Sequence, residues 1–113
     1  MNKIIEIAEK LDWSVDISED YINFSTFSPA GQDFNVDISY DKDLELEDLY
    51  AEIGEKLYEY YKSYDPDYEA SLWIGDDGHG KNGAPYKLSD LLKDMEWREQ
   101  AILELYNGIT KLY

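Results

Sequence analysis

The chain has 113 residues, no cysteine and a formal net charge of −16 at pH 7. This length predicts a single domain, residues 1–113, with one core, and the absence of cysteine excludes disulfide frameworks, thiol catalysis and thiolate metal sites. Because 43% of the residues are apolar and 15% are aromatic, we expect a folded protein despite the high charge.

The negative charge is concentrated in one part of the chain. Seventeen of the 26 acidic residues lie between Asp12 and Glu69, where Lys42, Lys56 and Lys62 are the only basic residues. A surface potential of one sign attracts basic ligands and repels nucleic acid and anionic membranes. The charge pattern therefore predicts a basic protein partner and argues against direct binding of nucleic acid or membrane.

The first half of the chain predicts a helix followed by a sheet. Residues 3–11 have the apolar spacing of a short amphipathic helix. The period then changes to two in runs at 13–18, 21–27 and 34–40, separated by Glu19-Asp20 and by the turn signal Ser28-Pro29-Ala30-Gly31. We expect a three-stranded antiparallel meander with one apolar and one polar face. The polar face would display Asp16, Asn23, Asp33, Asn35 and Asp37.

A long amphipathic helix is predicted after Asp43. Its apolar side comprises Leu46, Leu49, Tyr50, Ile53, Leu57, Tyr60, Tyr61 and Tyr64. The opposite side carries an acidic stripe, Glu45, Asp48, Glu52, Glu55 and Glu59, which would extend ~21 Å along the helix. Like charges at i,i+4 cost a helix about 0.2–0.5 kcal/mol per pair. The stripe is either the solvated side of a core helix or a binding surface.

Two further helices are predicted. Asp65-Pro66-Asp67 has the pattern of a helix start and would open a short helix ending near Trp73. Glycine-rich residues 75–83 predict a loop. Ser89-Asp90 begins the last helix, which Gly108 would end or weaken, and its apolar stripe is Leu92, Met95, Ile102, Leu105, Tyr106, Ile109 and Leu112. The expected fold class is α+β: an N-terminal helix, a three-stranded antiparallel β-meander, then three helices packed on one sheet face.

The loop resembles a phosphate-binding loop only in part. Gly75, Gly80 and Lys81 match most of G-x-x-x-x-G-K-[ST], but Asn82 replaces the hydroxyl residue that binds magnesium, and Asp76 and Asp77 would repel phosphate. The formal G-x-G-x-x-G at residues 78–83 lacks the strand and helix that such a motif requires. Nucleotide binding is therefore disfavoured.

No other motif indicates catalysis or a metal site. His79, the only histidine, lies alone on the glycine-rich loop, where a solvated or hydrogen-bonding role is expected. Asp41-x-Asp43-x-Glu45 resembles the start of an EF-hand, but Leu46 replaces its obligatory glycine. Paired carboxylates could serve a glycosidase, although sequence spacing does not give the separation that this mechanism needs. We therefore predict a protein that is not an enzyme and uses no cofactor.

Tyrosines offer a second kind of contact surface. The chain has eleven tyrosines, and tyrosine is enriched at protein interfaces because it is large, stiff and amphipathic. Tyr60, Tyr61 and Tyr64 are expected to cover the sheet, whereas Tyr58 and Tyr68 are the candidates for exposure. No apolar run reaches the roughly 18 residues of a membrane span, and Glu6, Glu9 and Asp12 interrupt any signal-peptide pattern. The expected compartment is the cytoplasm.

Several segments resemble a known group of proteins. These are residues 27–34 (FSPAGQDF), 64–70 (YDPDYEA), 72–74 (LWI) and 78–85 (GHGKNGAP). They are similar to uncharacterised small acidic proteins encoded by phages and mobile elements of gut bacteria, and the similarity covers most of the chain from about Tyr21 onward. The resemblance implies a genomic setting in which anti-CRISPR and antirestriction proteins also occur, several of which mimic DNA.

Two functions remain open from the sequence. The first is a non-enzymatic acidic binding protein that mimics nucleic acid and inhibits a host DNA- or RNA-handling or defence factor. Its contact residues would be Asp16, Asp33, Asp37 and the acidic stripe, together with Tyr58 and Tyr68. The second is an adaptor or structural accessory domain that binds a protein through its exposed tyrosines.

Overall fold

The computed structural model describes every residue from Met1 to Tyr113, and it confirms the predicted fold class and element order. Helix α1 (Asn2–Lys10) is followed by strands β1 (Ser14–Ile17), β2 (Tyr21–Phe27) and β3 (Asp33–Ser39). The three strands form an antiparallel sheet in the order β1-β2-β3. Helices α2 (Leu46–Ser63), α3 (Pro66–Ser71) and α4 (Leu88–Ile109) follow, and a short 3-10 turn (Thr110–Leu112) ends the chain.

Alternation along the strands creates two different sheet faces, because successive side chains of a strand point to opposite sides. The inner face is apolar and contacts the helices. It contributes Ile22, Phe24, Phe34, Val36 and Ile38 to a core of 17 buried residues. The same core takes Leu49, Ile53 and Leu57 from α2, Ile102, Leu105 and Ile109 from α4, and Ile4 and Ala8 from α1. The sheet is thus covered by helices on one side only.

Two glycines allow the C-terminal end of the chain to pack closely. A Cβ atom at Gly108 would lie 2.6 Å from Cγ2 of Ile7, so the missing side chain lets α1 approach α4. α4 continues one residue past Gly108 and changes to the 3-10 turn at Thr110, so the helix ends close to the predicted position. A Cβ atom at Gly54 would lie 2.1 Å from the Tyr113 hydroxyl oxygen, so Gly54 accommodates the ring of Tyr113 against α2.

A smaller cluster extends the molecule beyond the main core. The Asp65 carboxylate accepts hydrogen bonds from the backbone N–H groups of Asp67 and Tyr68 and so caps α3, as the sequence predicts. Ala70 of α3 packs with Leu91 and Met95 of α4. The molecule is consequently elongated, with extents of 51 × 23 × 23 Å.

Two details of the predicted apolar stripes are wrong. Leu46 is 50% exposed, because it is the first residue of α2 and precedes the part of the helix that crosses the core. In the first turn of α4 the fully buried leucine is Leu91, whereas Leu92 is half-buried at the edge of the smaller cluster. The start of α4 at Leu88 is slightly earlier than Ser89-Asp90 indicates.

Candidate interaction surface

The outer face of the sheet is polar and uncovered, and it contains three of the predicted contact residues. We call it the acidic sheet face. Its members are Ser14, Asp16, Tyr21, Asn23, Ser25, Phe27, Asp33, Asn35, Asp37 and Ser39. No basic residue occurs between Lys10 and Lys42, so this face has carboxylates but no cation on any of its strands.

The strand register arranges these side chains in rows across the sheet. Asp16, Asn23 and Asp37 are direct neighbours on the three strands. The side-chain amide of Asn23 donates a hydrogen bond of 2.6 Å to Oδ1 of Asp37, and that of Asn35 donates one of 3.1 Å to Oδ2 of Asp33. Because both donors are neutral, they orient the carboxylates without cancelling their charge.

The same rows surround a shallow depression. Asp16, Tyr21, Asn23 and Asp37 line a concavity of about 460 Å³ on the outer face. All four residues belong to β1, β2 and β3, so the shape of this depression is set by the sheet and not by a loop. It can receive a hydrogen-bond donor or a cationic group between two carboxylates.

The second acidic surface is the acidic helix stripe on α2, namely Glu45, Asp48, Glu52, Glu55 and Glu59. Four of these carboxylates are exposed, and Glu52 is half-buried. Glu52 accepts a hydrogen bond of 3.1 Å from the backbone N–H of Asp41 and lies 3.0 Å from the Lys56 ammonium. Glu59 pairs with Lys62 at 3.2 Å. The stripe is therefore partly neutralised by its own helix.

The two acidic surfaces meet at the β3 edge of the sheet. The Lys56 ammonium of α2 donates hydrogen bonds of 2.8 and 3.2 Å to the carbonyl and hydroxyl oxygens of Ser39, the last residue of β3. The pKa of Tyr60 on α2 is raised by burial, and further by the negative charges of Glu69 and Asp37. The Lys56 contact places α2 beside the end of β3. The acidic sheet face and the acidic helix stripe thus form adjoining surfaces.

The tyrosines divide as the sequence predicts. Tyr58 is 39% exposed and Tyr68 is 60% exposed. Tyr64 is buried against Phe34, with ring centroids 6.0 Å apart, and Tyr60 and Tyr61 are half-buried against the core. The Tyr58 ring packs against Tyr106 of α4 at an angle of 34°, with the ring centroids 5.0 Å apart, so one of its sides is already occupied.

The exposure of two aromatic residues on the sheet, Phe27 and Tyr21, was not predicted from the sequence. Phe27 is 70% exposed, the largest value among the exposed large hydrophobic side chains. It ends β2 and pairs with Asp33 across the strands, and Tyr21, at the other end of β2, is 41% exposed. The signal was present in the sequence: Phe27 is an even number of residues from Asn23 and so had to share its polar face.

The glycine-rich loop has a well-defined fold of its own. Gly75 N–H donates to the His79 carbonyl at 2.7 Å, and Lys81 N–H donates to the Trp73 carbonyl at 2.8 Å. The His79 ring is half-buried and stacks on Tyr86 with centroids 4.1 Å apart. No helix follows Lys81 directly, since α4 begins at Leu88. This geometry differs from that of a phosphate-binding loop.

A buried ion pair in α4 was also overlooked. Asp94 and Arg98, one helical turn apart, are both buried, with 3.3 Å between Oδ2 and Nη2. The Arg98 guanidinium also lies 5.2 Å from the centre of the Phe34 ring. Asp94 Oδ1 and Arg98 Nε have no hydrogen-bond partner. Asp94 lines a cleft of about 440 Å³ between α4, the β2–β3 turn and Pro85.

No family model, curated protein or solved structure matches this chain. The structure contains no group of three or more His, Asp or Glu side chains placed to hold a metal ion. None of its helices combines the length and apolarity needed to cross a membrane. The chemistry of the surface is therefore the basis on which a function can be argued.

Proposed function

We propose that this protein is a non-enzymatic acidic binding protein that occupies the nucleic-acid-binding surface of a basic protein. By resemblance, its setting is a phage or mobile element, and its target is a host DNA- or RNA-handling or defence factor. The observation that carries the proposal is the junction of the acidic sheet face and the acidic helix stripe at Ser39 and Lys56.

The charge density supports mimicry of a nucleic acid. A net charge of −16 over a long axis of 51 Å is about one charge per 3 Å. A single DNA strand carries one charge per ~3.4 Å and the duplex one per ~1.7 Å. The protein therefore approaches the linear charge density of one strand, which a basic binding surface recognises through phosphate contacts.

The elongated shape supports the same conclusion. The long extent of 51 Å is about twice the two shorter extents of 23 Å, so the protein has the shape of a short rod and not of a sphere. A basic groove shaped for a nucleic-acid strand could follow such a surface. Arginine and lysine side chains in that groove would meet carboxylates in place of phosphates.

The test is capture of proteins from nuclease-treated host-cell lysate on the immobilised protein, with elution in salt steps. Two variants remove the same amount of charge from exposed sites. The test variant neutralises five carboxylates of the two acidic surfaces and keeps Glu52 because of its structural hydrogen bond: Asp16→Asn, Asp37→Asn, Glu45→Gln, Asp48→Asn and Glu55→Gln. The matched control neutralises five exposed carboxylates elsewhere: Glu6→Gln, Glu9→Gln, Asp76→Asn, Glu96→Gln and Glu104→Gln.

We expect one dominant basic nucleic-acid-binding protein, released at moderate salt because exposed charge contacts are screened. The test variant should lose this protein and the matched control should retain it. Equal retention by both variants, or a captured protein that is neither basic nor salt-sensitive, would contradict mimicry.

The exposed side of α3 supports the alternative function of an adaptor. Tyr68 of α3 and Leu72, the residue directly after this helix, are spaced i,i+4 and both exposed, and aromatic residues are common anchors of protein interfaces. An adaptor that uses this surface would tolerate the five neutralising substitutions. Such an adaptor would instead lose binding of its partner when Tyr68 is replaced by alanine. If α2 also contacts the partner, Tyr58→Ala would have the same effect.

A further inference from the structure

We infer that the acidic sheet face is the anchoring part of the interface and that Phe27 and Tyr21 are its apolar contacts. The partner would be a protein surface that presents arginines together with at least one aliphatic side chain. This inference rests on the proposed function, and it specifies which face makes the central contact and with what chemistry.

Exposure of Phe27 is the first observation. A phenylalanine at a strand end, 70% exposed on a face that is otherwise polar, gains nothing from the protein's own core. Interface energy is usually concentrated in a few aromatic or arginine anchors surrounded by polar contacts. Phe27 has this arrangement, since its neighbours on the same face are Ser25 and Asp33.

The spacing of the two aromatic residues is the second observation. Tyr21 and Phe27 lie six residues apart on β2 and on the same face, which places them roughly 20 Å apart along the strand. Between them, Asp16, Asn23 and Asp37 form one row across the sheet and, with Tyr21, line the depression. A guanidinium group donates to carboxylates in a fixed planar fork and also stacks on aromatic rings. Arginine therefore fits this row better than lysine does.

The lack of basic residues is the third observation. The strands of the acidic sheet face contain no lysine or arginine, and the Lys56 ammonium reaches the face only at Ser39, on its β3 edge. On the acidic helix stripe, by contrast, Lys56 and Lys62 already pair with Glu52 and Glu59. On the sheet, carboxylates without a cationic partner lie beside the exposed ring of Phe27, whereas on α2 the exposed ring of Tyr58 already packs against Tyr106.

The size of the face explains why the helix stripe also matters. Three strands at ~4.8 Å spacing and a length of ~20 Å give a face of a few hundred Å², less than the ~800 Å² per partner of a standard interface. A partner of ordinary size must therefore extend beyond the sheet, and we infer that it does so past the β3 edge, where the acidic surface continues onto α2. The sheet would anchor the partner, and the stripe would steer it by long-range charge.

The test uses a defined probe and NMR. The ¹⁵N-labelled protein is titrated with the peptide acetyl-Arg-Leu-Arg-Leu-Arg-amide, which alternates arginine and an aliphatic residue. A second peptide in which glycine replaces leucine keeps the charge and removes the apolar contact. We expect the largest chemical-shift changes at Tyr21, Phe27 and the Asn23 side-chain amide, and tighter binding of the leucine peptide.

A matched pair of variants, Phe27→Ser and Leu46→Ser, compares two exposed apolar side chains that lie beside acidic residues.

Phe27→Ser should weaken binding of the leucine peptide about tenfold, the loss expected for an interface anchor, whereas Leu46→Ser should change it less than about twofold. Shifts centred on α2, equal affinity of the two peptides, or no saturable binding would each overturn the inference. None of these results decides whether the protein occupies a nucleic-acid-binding surface. That question is answered separately, by the capture of a basic nucleic-acid-binding protein and its loss from the five-carboxylate variant.

Discussion

The acidic sheet face and the acidic helix stripe have the same sign of charge but hold it in different ways. On the sheet, Asp33 and Asp37 accept hydrogen bonds from neutral asparagine amides. On α2, Glu52 and Glu59 pair with lysines of the same helix. Charge on the sheet is therefore oriented and undiminished, whereas charge on the helix is partly cancelled.

This difference separates two tasks that an acidic surface can perform. Oriented carboxylates on a rigid sheet can make specific short-range contacts, and these mainly govern how slowly a complex dissociates. Charges on mobile helix side chains act mainly at long range and affect the rate of association and its dependence on salt. The following predictions test this distinction, from the largest expected effect to the smallest.

Both surfaces depend on the same fold, and this fold buries the Asp94–Arg98 ion pair. Arg98→Met would leave the buried Asp94 carboxylate without a counterion, and we expect a loss of about 3–5 kcal/mol in the free energy of unfolding. The double variant with Asp94→Leu should recover most of this loss, because it removes both buried charges. Urea unfolding measures both values. Equal destabilisation of the single and double variants would show that the ion pair itself stabilises the fold.

Tyr64 makes the attachment of α2 to the sheet sensitive to alkaline pH. Burial is the main cause that raises the pKa of its hydroxyl, with Glu69 and Asp94 adding to the effect and Arg98 opposing it. Because the folded state favours the neutral phenol, this contribution to stability is complete below the ordinary pKa near 10 and is lost as pH rises above it.

The wild type should therefore lose up to about 1.4 kcal/mol of stability per pH unit above pH 10 through this residue. Tyr64→Phe removes the titrating group and should lose less stability than the wild type between pH 9 and 11. At pH 7 we expect the two proteins to differ by less than about 1 kcal/mol, since the variant loses only the hydrogen bond to Met95. If the stability of both proteins depended on pH in the same way, ionisation of Tyr64 would not be the cause of the loss.

Kinetics with a captured partner can distinguish anchoring from steering. The pair of substitutions Asp48→Asn and Glu55→Gln should lower kon several-fold at low salt, leave koff nearly unchanged and reduce the salt dependence. Asp16→Asn with Asp37→Asn removes the same charge from the sheet and should mainly raise koff. Surface plasmon resonance at two salt concentrations measures both constants. If the two variants changed kon and koff in the same way, the sheet and the helix stripe would not have separate roles in anchoring and steering.

Relief of negative charge should raise the stability on the helix stripe but not on the sheet face. Glu55→Lys replaces repulsion with Glu59 by attraction at i,i+4 and should stabilise α2 by about 0.5 kcal/mol. Asp37→Asn should bring no such gain, because Asn23 separates Asp37 from Asp16 on the sheet. Thermal unfolding of both variants at low salt is the measurement. A comparable gain for Asp37→Asn would show that charge repulsion on the sheet is as costly as on the helix.

The elements and faces of the fold could be predicted from periodicity. Alternation in residues 13–40 placed Asp16, Asp33 and Asp37 on one face, and i,i+3 and i,i+4 spacing placed the acidic stripe on the side of α2 away from the core. Both follow from local backbone geometry. Asp65-Pro66 likewise marked the start of α3, since capping needs only neighbouring residues.

Contacts between elements that are distant in the sequence could not be predicted from periodicity. The contact of Lys56 with Ser39, which brings the two acidic surfaces together, depends on how α2 crosses the edge of the sheet. Burial of Asp94 and Arg98 depends on α3 and the β2–β3 turn covering α4 at that level. Charged residues at i,i+4 within an apolar stripe were a signal for this pair, but solvated and buried pairs share that spacing.

Competition with DNA tests the central claim most directly. The captured basic protein is bound to a fluorescent DNA duplex or single strand at fixed salt, and wild type, the five-carboxylate variant and the matched control are titrated against it. Mimicry predicts that wild type and the control displace the nucleic acid completely at similar concentrations, and that the five-carboxylate variant requires a far higher concentration. A ternary complex of protein, partner and nucleic acid, or equal displacement by all three proteins, would contradict it.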